Sequence, residues 1–110
     1  MRIRHWIFVL SLAFLTVSCR TRDERTILVL VPEMKNAACS NIVAGAVARC
    51  PGVNAATLRV DMTRRTVTVS YDSLMTALKN IEFAIAEAGF QANEVPAKKE
   101  AAAALPAECR

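Results

Sequence analysis

The chain has 110 residues, enough for one small domain and not two. It is 54% hydrophobic and only 22% charged, and much of the apolar excess lies in Trp6–Val17. About a dozen apolar residues cannot span a bilayer, which takes ~20. With Arg2 and Arg4 ahead of it and small residues behind, the segment has the order of a secretory signal, so residues 1–18 are expected to be removed. Without Arg2 and Arg4 the 14 basic residues become 12 against 10 acidic, a net charge of +2 in place of +4. That bias is too slight to argue for nucleic acid. The single histidine, His5, and the single tryptophan, Trp6, leave with the signal. A mature chain without histidine excludes Ser–His and Cys–His nucleophile pairs and His-bearing zinc sites. Tyr71, Phe83 and Phe90 are too few aromatics for a base-stacking platform. No enzyme is expected.

The signal closes as Leu15-Thr16-Val17-Ser18-Cys19, with no charge between Trp6 and Ser18. A cysteine directly after a small residue resembles the bacterial lipoprotein processing site. The resemblance implies cleavage before Cys19 and acylation of its thiol and amine, which would hold the protein firmly at a membrane. Arg20 stands where inner-membrane retention would show aspartate, so a periplasmic protein on the outer membrane is implied. Residues 19–25 form a lipidated tether carrying Arg20, Arg22 and Arg25.

Thr26–Val31 is a continuous apolar, β-branched run ended by Pro32 and reads as a buried strand. Pro32–Ala38 is loop-like. Cys39–Arg49 carries Ile42, Val43, Ala46 and Val47 on one helical face, and Pro51-Gly52 stops it. Leu58, Val60 and Met62 alternate with Arg59 and Asp61, and Val67, Val69 and Tyr71 alternate with threonine and serine. The polar turn Thr63-Arg64-Arg65 joins them as a hairpin. Asp72 or Ser73 is placed to cap a second helix with a Leu74, Leu78, Ile81, Ile85 stripe, and Gly89 to end it. Phe90–Val95 reads as a last short strand before Pro96. Residues 97–110, rich in Ala, Lys and Glu, read as a mobile or partly helical tail. The order β-α-β-β-α-β predicts an α+β, ferredoxin-like domain over residues 26–96. It has a four-stranded antiparallel sheet with both helices on one face.

Several stretches then resemble the heavy-metal-associated domain of copper chaperones, copper-pump termini and periplasmic mercury-binding proteins. They are Val31-Pro32-Glu33-Met34, Cys39 opening the first helix, Pro51-Gly52-Val53, Thr66–Asp72 and Ile85–Phe90. The resemblance implies capture of a soft ion, Cu(I) first among them, by Met-x-Cys-x-x-Cys on the loop before the first helix. Thiolates suit soft ions, and peptide N–H groups at a helix start favour the thiolate form. Met34 matches the methionine, a hydrophobic support of the loop, and Cys39 the second cysteine. Asn36 stands at the first cysteine and is otherwise a loop or capping residue. Glu33 replaces the usual glycine. One thiolate cannot capture a soft ion in two-coordinate fashion, and an amide is a hard substitute. A second thiolate has to come from elsewhere.

With Cys19 acylated, Cys39, Cys50 and Cys109 remain. Cys39 and Cys50 bracket a helix and lie ~16 Å apart, beyond the ~7 Å that a disulfide tolerates. If the last strand runs antiparallel to the first, it ends at the pole of Cys50, so a Cys50–Cys109 disulfide needs only a short return. Reaching Cys39 means climbing about 20 Å, which fourteen residues can span at an entropic cost. If Cys50 instead packs under its helix, Cys109 is free to act as the distal ligand. Two functions follow. One is a soft-metal lipoprotein using Cys39 with a second thiolate and serving an envelope metal-transport protein. The other is a metal-free adaptor that keeps the fold as a recognition surface.

Overall fold

The computed structural model describes residues 22–110; the signal segment and Cys19 lie outside the described residues. Three strands form one antiparallel sheet: β1 (Glu24–Leu30), β2 (Val53–Asp61) and β3 (Thr66–Asp72), in the order β1-β3-β2. Helices α1 (Ala37–Ala48) and α2 (Leu78–Glu87) are its main helices, and a short α3 (Lys99–Ala104) and a 3-10 turn (Ala107–Cys109) complete the chain. The period-two alternation does its work in β3, where Val67, Val69 and Tyr71 face a core shared with Val43 and Val47 of α1 and Ile81 and Ile85 of α2. Val29 of β1 and Val31 just beyond it join that core, whereas Leu28 and Leu30 are exposed. The expected wholly buried strand is thus an edge strand with one wet face. A one-sided sheet leaves every second side chain to solvent.

The expected fourth strand is replaced by a tight turn. Asn93 adopts a left-handed backbone (φ 51°), and the chain doubles back through a single bridge between Ala92 and Val95. Asn93 holds the upper end of β1. Its N–H donates to the Leu30 carbonyl at 2.7 Å. Its Oδ1 accepts the Leu30 N–H at 2.9 Å, and its Nδ2 donates to buried Glu82 at 3.1 Å. One residue in a local turn therefore satisfies both main-chain groups of Leu30, which a fourth strand would have paired.

The second helix also starts later than its stripe suggested. Asp72 Oδ1 accepts from Leu74 N–H and its carbonyl from Met75 N–H, closing a turn ahead of the helix, and Leu74 is exposed. Gly89 does end the helical segment, at φ 105°.

The tail runs back over the domain. Lys98 N–H donates to the Ala86 carbonyl at 2.9 Å, and Leu105 and Cys109 are buried. Among the described residues no helix is long and apolar enough to cross a membrane.

Candidate metal centre

The loop Pro32–Asn36 leaves the top of β1 and is held from below. Val31 N–H donates to the Arg65 carbonyl at 2.8 Å, and the Arg65 guanidinium donates to the Pro32 carbonyl at 2.7 Å. Arg65 reaches both because it closes the hairpin in a left-handed conformation (φ 54°). Met34 is fully buried in the same cluster as Cys39 and the valines of α1, so its thioether anchors the loop in the core. Asn36 is the N-cap of α1, with extended backbone, and its Oδ1 accepts the Cys39 N–H at 3.1 Å. Cys39 is the third residue of the helix and is fully buried.

Cys39 is bonded to Cys109. Their α-carbons are 5.7 Å apart across 70 residues of sequence. The Cys50–Cys109 pairing expected as the shorter closure is absent, and Cys50 is a free thiol. The reason is the missing fourth strand: without that descent the tail starts at the pole of the metal loop and meets Cys39 directly. Cys50 lies at the other end of α1, its thiol against the Ala46 carbonyl, with burial pushing its pKa up against the opposing pull of Arg49. Two loop side chains grip the tail beside Cys109. Asn36 Nδ2 donates to the Glu108 carbonyl at 3.3 Å, and Lys35 Nζ to the main-chain oxygen of Arg110 at 2.6 Å. No local pattern in the sequence announces either contact, since each joins residues more than 70 apart. Among the described residues there is no cluster of three or more His, Cys, Asp or Glu that could hold a metal ion. Around Cys39 the chain brings together two sulfurs, its own and that of Cys109, joined as a disulfide.

The family model of the heavy-metal-associated domain matches residues 28–91, and the chain belongs to that family. Among solved structures it is similar to oxidised MerP from Ralstonia metallidurans CH34, at 27% identity over 64% of this chain and 96% of that one, with a TM-score of 0.61. It is similar also to a copper binding domain from HMA7, a P-type ATPase, at 33% identity over 68% and 97%, with a TM-score of 0.59. A third is the mercury-bound form of MerP, the periplasmic protein from the bacterial mercury detoxification system, at 27% identity over 64% and 96%, with a TM-score of 0.56. No curated protein sequence matches the chain.

Proposed function

We propose that this chain is a periplasmic lipoprotein that binds a soft metal ion, Cu(I) first among them, between the thiolates of Cys39 and Cys109. It would hand the ion to an envelope metal-transport protein. The observation that carries the reading is the Cys39–Cys109 pairing, which brings a tail sulfur to the side of Cys39 where Asn36 offers none. A thiol reductant supplies two electrons and two protons to open the disulfide. Binding of Cu(I) then displaces both thiol protons and leaves a bis-thiolate of charge −1. Acylation of Cys19 fits this arrangement: β1 begins at the pole opposite the loop, so an anchor upstream of Glu24 leaves the thiol pair facing away from the bilayer. Labelled palmitate should enter the wild type and not Cys19→Ala.

Native mass spectrometry of the reduced mature protein should show one Cu(I) bound, lost in Cys39→Ser and in Cys109→Ser. Asn36→Cys should bind Cu(I) even after truncation following Pro96, because it completes the loop pair without the tail. The complete burial of Cys39 and near-complete burial of Cys109 favour a second reading, in which the disulfide is a permanent staple and the domain a metal-free adaptor. Failure of the reduced wild type to take up Cu(I) would establish that reading instead.

A further inference from the structure

The amide of Asn36 is used at both ends. Its Oδ1 accepts the Cys39 N–H, which fixes the orientation of the group, so that Nδ2 faces the tail and donates to the carbonyl of Glu108. Glu108 immediately precedes Cys109. The neighbouring loop residue, Lys35, donates to the main-chain oxygen of Arg110, which immediately follows it. The main-chain oxygens on either side of Cys109 are therefore held by consecutive side chains of the loop that leads into Cys39. We propose that Asn36 is a positioning residue for the Cys39–Cys109 pair, presenting the tail sulfur to the helix sulfur, with Lys35 as its second anchor. The inference rests on the two cysteines being the working pair, and not on any metal being bound.

Closing a 70-residue loop is costly unless local contacts deliver its end to the partner. Hydrogen bonds one residue to either side of Cys109 reduce the last step to a side-chain rotation, and so raise the effective concentration of one thiol at the other. Aspartate separates the two jobs of Asn36. It caps a helix as well as asparagine does. Its second oxygen, however, has no proton to donate and faces the Glu108 carbonyl. Serine also caps, but is too short to reach the tail.

The test is the thiol–disulfide equilibrium of the mature chain in glutathione buffers, with Cys50→Ser to prevent side reactions. Two protein thiols and one oxidised glutathione give the protein disulfide and two glutathione thiols, and alkylation followed by mass spectrometry counts the species. Asn36→Asp should lower the equilibrium constant about fivefold, which is ~1 kcal/mol at 1.4 kcal/mol per tenfold. Asn36→Ser and Lys35→Ala should do the same, with the helix content and melting temperature of the reduced Asp variant unchanged. An unchanged equilibrium in Asn36→Asp would overturn the proposal. A role as helix cap alone would destabilise the oxidised and reduced forms alike and leave the equilibrium where it was. A shifted equilibrium in a protein that takes up no Cu(I) would refute the metal reading and leave the positioning role standing.

Discussion

Reduction of the Cys39–Cys109 bond removes a constraint that acts chiefly on the unfolded chain. With the two cysteines 70 positions apart, the loop-closure entropy is about 15 cal/mol/K, or about 4 kcal/mol at 25 °C. A small domain has only about 5–15 kcal/mol of stability in total, so the reduced protein should stay folded with little to spare. Guanidinium titration followed by far-UV circular dichroism, on the Cys50→Ser protein with and without a phosphine reductant, measures the difference. The midpoint should fall by roughly 1–2 M at the slopes usual for small domains, while the native spectrum stays the same. Added Cu(I) should then restore stability in the reduced form, by about 2.7 kcal/mol at one hundred times its dissociation constant. Superimposable oxidised and reduced curves would refute the chain-entropy argument. A native spectrum that changes on reduction would refute it differently, by placing the effect in the folded state.

Gly89→Ala should destabilise the protein by ~2 kcal/mol or more in thermal melts, because φ is 105° and a Cβ there would sit 2.9 Å from the Ala101 carbonyl oxygen. Truncation after Pro96 should remove the clash but not the backbone strain. Asn93→Ala should cost about 1–2 kcal/mol and speed hydrogen exchange at the Leu30 amide, since the side chain both accepts from that amide and satisfies Glu82. Asn93→Gly, which relieves the positive φ but lacks the side chain, should exchange as fast at Leu30 while melting higher than the alanine variant. The Cys50 thiol, its pKa raised by burial, stays protonated at pH values where an ordinary cysteine begins to ionise. Its alkylation in the folded protein should rise with pH through a midpoint above that of the same thiol in denaturant, and an equal or lower midpoint would contradict the assignment.

The helix face of Ile42, Val43, Ala46 and Val47, the hairpin around Thr63–Arg65 and the stop at Gly89 were all legible, because each rests on spacing within a few residues. Asn36 was readable as a cap for the same reason. Phe90–Val95 misled because its composition suits a strand. What decides its conformation is the long-range fit of Asn93 to Leu30 and Glu82, residues 63 and 11 positions away. That single substitution of a turn for a strand then moved the tail from the Cys50 pole to the Cys39 pole, and with it the disulfide. The i, i+4 spacing puts Leu74 on the helix stripe, but Asp72 commits its carboxylate to a turn before the helix can begin. The exposure of Leu28 and Leu30 could not be read from TILVLV, since an unbroken apolar run suits a two-sided as well as a one-sided strand.

The covalent ring closed by Cys39 and Cys109 contains α1, β2, β3 and α2, but β1 lies wholly outside it. Nothing covalent secures that strand in the oxidised protein: it is kept in place by its seven register partners on β3, by Asn93, and by the packing of Val29 and Val31. Tension applied through an N-terminal tether would therefore load β1 first and peel it from β3 as one unit, with the ring and its sulfur pair still intact. Once β1 had yielded, the load would pass along Pro32–Asn36 to Cys39, so that the covalent ring is where such unfolding would stop.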